Sequence, residues 1–298
     1  MEVSIVIVNY NTFELTCNCI RSVLNNTTDL KYELILVDNG SNECDPKQFK
    51  LLFPSIKLVP SGVNLGFSKG NNLGINHAKG RAILLLNSDT TVLRSSIRAA
   101  YDKLIADPEI GVVTVKVTYP DGSPQAVAGR FPSITRELRE LFRLNKLLKQ
   151  DEVSDYYLAD RFDYSCEKEV DWVWGTFFMF NKKLLDSFPE KKLHENFFMY
   201  VEDIQWCYFI KRKLAKKILF YPKAHIVHYL DGSTKRKVNQ NEKYLKKIMP
   251  NEFDWISQEK GALYARFYYL TKAVHLLTLR EKKNHKKAKY ILSSFVFF

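Results

Sequence analysis

The sequence is short of most features that would announce a specialised class. Its five cysteines are an odd number with no Cys-x-x-Cys pair. That excludes a disulfide framework and a zinc ribbon, and it fits a reducing compartment. Cys17 and Cys19 fall in an expected helix and read as packing residues. No stretch of 18 uncharged apolar residues occurs, so no segment is expected to span a bilayer. The start, Met1-Glu-Val-Ser-Ile, has no basic n-region, and the apolar run after it is too short for a secretory leader. The expectation is therefore a cytoplasmic protein. There is no internal repeat, no low-complexity tract, no Walker A sequence and no GxGxxG fingerprint.

What is present is enough apolar residue, 46% of 298, to bury a full core in one domain with an appendage. The net charge of +12 invites an anionic partner: nucleic acid, membrane surface or anionic substrate. Its distribution is uneven. From Ser257 to Phe298 nine Lys/Arg face two Glu, so +7 of the +12 lies in the last 42 residues.

Short apolar runs ending in polar clusters dominate the first hundred residues. Ser4-Ile-Val-Ile-Val-Asn9, Glu33-Leu-Ile-Leu-Val37, Ile56 to Val59 and Ala82 to Leu86 read as buried parallel strands. Helices are expected over Thr12 to Leu24 and Lys69 to Ala78, which gives right-handed βαβ units in a mostly parallel sheet. Further on, a helix is expected over Ser95 to Ile105 and a strand over Val112 to Val117. Residues 130 to 165 read as irregular, Val170 to Phe180 as a strand pair or strand–helix junction, Glu202 to Arg212 as a helix and Ile218 to Tyr221 as a short strand. Three strand ends carry polar residues: Asn9-Tyr10-Asn11, Asp38-Asn39-Gly40-Ser41 and Asn87-Ser88-Asp89. In open α/β sheets ligands bind at such ends, so together they suggest one polar crevice. Asp89 could offer oxygen to Mg²⁺ or Mn²⁺, and through the metal to a diphosphate. Asp38 could accept a hydrogen bond from a base ring N–H, or close an Asx turn. Asn71 and Asn72, near a helix start in a glycine-containing loop, could hydrogen-bond a nucleoside.

These pieces, with Asn64-Leu-Gly-Phe67, Val170-Asp-Trp-Val-Trp-Gly175, Phe198-Met-Tyr-Val-Glu-Asp203 and His225-Ile-Val-His228 before Gly232-Ser233, resemble the inverting family 2 glycosyltransferases of GT-A fold. The rhamnosyltransferase branch, which includes galactofuranosyltransferases, is the most similar. The resemblance covers about residues 1 to 235. It implies an α/β fold with a Rossmann-like nucleotide-binding sheet (1–100) continuous with an acceptor-binding half (101–235), and leaves 236–298 as a helical extension. It implies a nucleotide-sugar site at Asn9, Asn11, Asp38, Asn64, Gly66, Asn71, Asn72 and Asn87. A divalent metal, Mg²⁺ or Mn²⁺, would sit on Asp89 and His228, and Asp203 would be the general base. Trp172, Trp174, Gly175 and Glu202 would shape the acceptor and sugar pocket. The implied activity is transfer of a sugar, L-rhamnose first, from a dTDP- or UDP-donor to a saccharide or lipid-linked glycan in bacterial cell-surface polysaccharide synthesis. A galactofuranosyl or hexosyl donor is the alternative. Four positions depart from the family pattern: Val201 for Gly before Glu-Asp, Gln205 for an acid, Phe209 for Arg and Leu214 for Gly. These departures bear on donor and acceptor identity.

Two other classes fit less. A nucleic-acid-binding protein would suit the charge and aromatic content, but no recognised module is present, so nucleic acid is not an expected partner. A sugar-nucleotide pyrophosphorylase would need a glycine-rich, Arg-containing loop after the first strand, which is missing. In the tail, Leu263, Phe267, Leu270, Val274 and Leu277 recur at helical spacing among Lys260, Arg266 and Lys272. A basic run to Lys289 and the apolar end Ile291 to Phe298 follow. Two uses stand open: peripheral contact with the anionic inner face of the plasma membrane, or packing on the catalytic domain or on another subunit as a homo-oligomer.

Overall fold

The computed structural model describes residues 1–147, 158, 162–230 and 244–296. Gly232-Ser233 and Phe297-Phe298 lie outside the described residues. The chain forms two compact units, Met1–Gly129 with Phe162–Arg236, and Arg130–Arg161 with Lys237–Phe298. The second unit thus takes in a stretch that the sequence reading had kept in the acceptor half.

In the first unit the chain runs β1 (Val3–Asn9), α1 (Phe13–Asn26), β2 (Tyr32–Asp38), α2 (Lys47–Leu52), β3 (Lys57–Pro60), α3 (Gly66–Ile75), β4 (Ala82–Asn87), β5 (Thr90–Val92), α4 (Ser96–Ala106) and β6 (Ile110–Thr118). The short strands β7 (Ala128–Gly129), β8 (Lys168–Val170), β9 (Trp172–Val173) and β10 (Phe177–Asn181) come next in this unit. In the second unit α5 is Ile134–Leu141. The first unit closes with α6 (Glu202–Tyr208), prolonged by a π turn over Phe209–Lys213, and β11 (Lys217–His228).

Among the described residues nine strands form one sheet, in the order β3-β2-β1-β4-β10-β6-β11-β5, with β8 also on β11. The first four are parallel, as their uninterrupted apolar runs require, with residues such as Ile5, Ile35 and Leu84 buried. Their register aligns Asn9 with Asp38 and Val8 with Asn87, so the three polar ends share one rim. Strand β10 enters antiparallel to β4 and β6, and its Phe177, Phe178 and Phe180 are core.

Three expectations need correcting. Strand β11 is 12 residues long rather than four. The reading stopped at Pro222, which the strand accommodates in a register shift between Tyr221 and His225. Residues 130 to 165 are not wholly irregular, since α5 lies there. That helix buries none of its own residues fully, so no apolar run marks it. The stretch from Val170 to Phe180 is three short strands, with β9 pairing β7 and the other two in the main sheet.

The second unit contains α5 with α7 (Met249–Lys260), α8 (Ala262–Thr278) and α9 (Lys282–Ile291). Trp255, Tyr269, Ala273 and Ile291 are fully buried in it. The face that α8 turns inward is polar as well as apolar. Tyr269 donates to the Glu252 carboxylate (3.1 Å), Lys272 Nζ lies 3.7 Å from the same group, and Tyr268 donates to Glu137 (3.4 Å). Of the two uses left open for the apolar chain end, Phe295 takes the packing one, buried against Phe253 and Tyr269.

One buried hydroxyl ties the start of the sheet together. Ser4 Oγ, in the middle of the core, donates to Glu33 (2.6 Å) and accepts from the Lys79 and Gly80 N–H groups (3.1 and 2.7 Å). Ser4→Ala would leave the buried Gly80 N–H without an acceptor, a loss of about 1–3 kcal/mol. Urea unfolding should show a lower midpoint with an unchanged m-value.

Candidate active site

The rim at the ends of β1, β2 and β4 is held by one saturated amide. Asn9, fully buried, donates both Nδ2 hydrogens, to Asp38 Oδ1 and Ser41 Oγ, each at 2.9 Å. Its Oδ1 accepts from the hydroxyls of Thr12 (2.9 Å) and Thr16 (2.8 Å). With four of four hydrogen bonds made, Asn9 reaches a ligand only through Asp38, which it aims. The other Asp38 oxygen accepts the Ser41 N–H at 3.3 Å. Asn11 sits beside it at φ +53, taking the Asn42 N–H on its side-chain oxygen.

The loop before α3 is fixed in the same way. Asn39 donates to Asn64 Oδ1 (3.2 Å) and to the Gly66 carbonyl (3.1 Å), and it accepts from the Leu65 N–H. Asn64 Oδ1 also takes the Gly66 N–H at 2.9 Å. Gly66 is obligatory here. Its φ is +80, and a Cβ would stand 2.3 Å from the Phe198 carbonyl oxygen. That carbonyl accepts the Phe67 N–H (2.8 Å), which joins the loop to the segment leading into α6.

Asn71 and Asn72 are used otherwise than expected. Both are buried in α3. Asn71 donates back to the Phe67 carbonyl (3.0 Å). Asn72 clamps the 193–195 segment, giving to the Leu193 carbonyl (2.8 Å) and Glu195 (2.9 Å) and taking the Leu193 N–H (3.1 Å). These bonds position α3 and its neighbours, and the two amides do not join the cluster at the rim.

At the end of β4 the pairing of Thr90 with His228 carries Asp89 and the imidazole together. Asp89 Oδ1 lies 3.1 Å from His228 Nε2, and Asn87 Nδ2 lies 3.5 Å from the same nitrogen. His228 is buried while Asp89 is partly exposed, so the pair opens outward through the carboxylate. Two donors at adjacent positions of an octahedral Mg²⁺ site, with bonds of about 2.1 Å, stand about 3 Å apart. The spacing of this carboxylate and imidazole therefore fits a divalent ion whose remaining ligands come from water and a diphosphate. Among the described residues no third His, Cys, Asp or Glu completes a protein cage.

The carboxylates opening α6 form the other pole. Asp203 Oδ2 accepts the Gly175 N–H at 3.2 Å. Burial raises its pKa to about 6, against the pull of the Gly175 and Ile204 N–H groups. Burial, and then the charge of Asp203, raises Glu202 well above the usual range. Of the two carboxyls, Glu202 is thus the one more strongly disfavoured as an anion. Gly175 can approach because it has no side chain, since a Cβ would meet the Phe67 ring at 2.7 Å. The residue before the pair, Val201, is left-handed at φ +78, as is Tyr200 at φ +72. A β-branched residue there is strained.

The two poles hang from consecutive residues of one loop. Gly175 binds Asp203 by its N–H, and the next carbonyl, Thr176, accepts the Asn87 N–H at 3.1 Å. Trp172 and Trp174, both partly exposed, precede them. The Trp172 ring lies over Gly129, where a Cβ would stand 2.4 Å from it. Sequence reasoning missed the clamping roles of Asn39, Ser41 and Phe198. All three belong to quoted motifs, but Phe198 acts through its backbone carbonyl and leaves no signal in its side chain.

Comparison with known proteins agrees with this geometry. The glycosyl transferase family 2 model matches residues 4–188. An N-acetylglucosaminyl-diphospho-decaprenol L-rhamnosyltransferase of Mycobacterium tuberculosis is 25% identical over 223 residues, 70% of this chain and 70% of that protein. A low-salt glycan biosynthesis hexosyltransferase of Haloferax volcanii is 27% identical over 216 residues, 71% of this chain and 62% of the relative. Among solved structures, a mannosyltransferase of Pyrobaculum calidifontis in complex with GDP-Man and Mn²⁺ superposes with TM-score 0.56. The match covers 98% of this chain and 85% of that one at 13% identity. The 1–349 fragment of S. aureus TarS gives TM-score 0.55 at 14% identity, over 99% of this chain and 80% of that one. The fold is GT-A, and the chain belongs to glycosyl transferase family 2 and is a glycosyltransferase.

Proposed function

We propose that this glycosyltransferase inverts configuration and moves L-rhamnose from a dTDP- or UDP-sugar to a saccharide or lipid-linked glycan of a bacterial cell-surface polysaccharide. The observation that carries the reading is that neighbouring residues of one loop bind Asp203 and the backbone of Asn87, two positions before Asp89, whose carboxylate meets His228. The similarity to the mycobacterial rhamnosyltransferase supports the sugar, and the printed name of that relative supports a lipid-linked acceptor. The hexosyltransferase relative keeps a UDP-hexose or UDP-galactofuranose donor as the second reading.

Each residue then has a task. Asp38 receives the ring N–H of the base, aimed by Asn9. Asp89 and His228 would hold Mg²⁺ or Mn²⁺, which would supply charge neutralisation to the leaving diphosphate. Asn87, in place of a second carboxylate, leaves that cluster one negative charge fewer. Asp203 takes the proton from the acceptor hydroxyl as its oxygen bonds to the anomeric carbon. The bond from that carbon to the diphosphate breaks, and the nucleoside diphosphate departs with the electron pair. Glu202 lies beside it, its pKa raised by burial and by the charge of Asp203. Trp172 and Trp174 offer aromatic faces to the sugars.

The second unit supports a peripheral contact. No described helix is long and apolar enough to cross a membrane. Yet the outward face of α8 is apolar, with Leu263 83%, Phe267 51%, Val274 40% and Leu277 44% exposed. Exposed Arg280, Lys282, Lys283, Lys286 and Lys289 follow it. We assign this face to an anionic lipid surface, because a second copy would bring two tails of charge +7 together. The face recurs over four turns with exposed Arg266 beside it, whereas Tyr268, Tyr269 and Lys272 face the interior, as they would if the helix were built to lie on lipid.

Three outcomes test this. In a thermal-shift screen dTDP-rhamnose with Mg²⁺ or Mn²⁺ should stabilise the protein by about 2.7 kcal/mol at a hundred times its Kd. Asp89→Ala should lose that shift, and a response to UDP-galactofuranose alone would move the assignment to the second reading. The pH–kcat profile should rise through about 6 and level off above it, because Asp203 accepts a proton only when ionised. Asp203→Asn should cost about 10²- to 10⁴-fold in kcat without abolishing donor binding. The protein should float with phosphatidylglycerol vesicles at low salt, and Phe267→Glu with Val274→Glu should abolish flotation. Dimerisation that the same pair of substitutions disrupts, with no lipid binding, would assign the face to a second copy.

A further inference from the structure

Behind His228 lies a residue that no motif marks. Gln125 is almost fully buried at the start of the segment leading to β7. Its backbone is fixed to the end of β6, with its N–H on the Val117 carbonyl (2.9 Å) and its own carbonyl receiving the Val127 N–H (2.9 Å). Its side-chain amide meets two backbone carbonyls and one imidazole nitrogen. Nε2 donates to the carbonyl of His228 itself at 2.7 Å and points to that of Thr118 at 3.4 Å. Oε1 stands 2.9 Å from His228 Nδ1.

This arrangement admits one orientation of the amide. Turned over, Oε1 would face two carbonyl oxygens, one of them 2.7 Å away, with no hydrogen between. Oε1 therefore faces Nδ1, and an amide oxygen can only accept, so Nδ1 carries the hydrogen. The neutral ring then has its lone pair on Nε2, the nitrogen directed at Asp89 Oδ1 (3.1 Å) and Asn87. Two acceptors at that distance repel unless a cation or a proton lies between them. Gripping both the ring and the carbonyl of the same residue also prevents the imidazole from rotating out of the crevice.

We infer that Gln125 is the positioning residue of the site: it fixes the tautomer and direction of His228 so that Nε2 is presented, lone pair outward, beside Asp89. The inference rests on the reading of Asp89 and His228 as the metal and diphosphate pair, and it adds the group that makes the imidazole competent for it. Outer partners of this kind, when removed, typically cost 10- to 100-fold in metal affinity.

The test reads the ring and the metal separately. Long-range ¹H–¹⁵N spectra of the metal-free protein, labelled at histidine, should show the His228 Nδ1 protonated and Nε2 of the lone-pair type. Gln125→Leu should lose that uniform state, and Mn²⁺ affinity measured by electron paramagnetic resonance should fall 10- to 100-fold. Thr118→Val, which removes a neighbouring buried hydrogen bond to His225, is the control for plain loss of stability and should bind Mn²⁺ like the parent. An Nε2–H tautomer in the parent protein would overturn the inference, and so would Gln125→Leu binding Mn²⁺ unchanged. If Gln125→Leu does not fold, the spectrum of the parent alone decides. A parent that shows the expected tautomer but binds no Mn²⁺ would sustain the role of Gln125 and sink the metal reading.

Discussion

Two backbone hydrogen bonds from adjacent residues, Gly175 N–H to Asp203 and Asn87 N–H to the Thr176 carbonyl, are the constraint on which the rest of the site depends. The parallel half of the sheet ends at Asn87, and the strand beside it runs the other way. Because β10 is antiparallel to β4, its entry loop lands at the rim where the parallel strands finish. A transferase needs its charge-neutralising group and its base on opposite sides of the reacting carbon, at a fixed separation. On the proposed roles, anchoring Asp203 and Asn87, two residues before Asp89, to one short loop would give that separation rigidity. Gly175 serves this twice, offering its N–H to the acid and leaving room for the Phe67 ring.

The sequence reading recovered what depends on local pattern and lost what depends on side-chain direction. Buried parallel strands show as unbroken apolar runs, and their polar ends announced the rim, so Asp38, Asn87 and Asp89 were legible. Asn9 was legible as a member of the cluster but not as its saturated clamp, because four hydrogen bonds come from residues spread between Thr12 and Ser41. Asn71 and Asn72 look like ligand amides in the sequence, yet both face the protein. Which side of a helix meets the core is settled by tertiary packing that a single window of sequence does not contain. The same limit applied to α8, where the apolar stripe at helical spacing was seen but its direction was left open; Leu263, Phe267, Val274 and Leu277 point outward. Strand β11 was cut short at Pro222 because proline usually ends a strand, and a register shift rescued it.

The second unit inverts the usual rule for a surface helix. Its interior contains Glu137, Glu252, Lys272 and two tyrosines, with His275 3.9 Å from Glu137. Although desolvation works against the Glu137 carboxylate, His275 and Lys272 outweigh it and hold its pKa below the usual value. The charged form of Glu137 is thereby favoured inside the unit. The apolar residues left outside are then a feature of the fold rather than a surplus of hydrophobic side chains, since α5, α7 and α9 already fill the inner face.

The turn formed by Tyr200 and Val201 has a consequence for how the protein behaves on warming. Two successive left-handed residues without glycine cost on the order of 1–3 kcal/mol each, and the surrounding packing must sustain them. Glycine at Val201 would relax the backbone, but it would also empty a buried position and give the carboxylate pair more freedom. As built, the segment before α6 is a strained place beside the rim, and strained segments are the ones that open ahead of the whole domain. Heat should therefore silence the protein at a temperature where its sheet is still intact, and brief cooling should restore it. Thermal inactivation would in that case report the turn, not the fold.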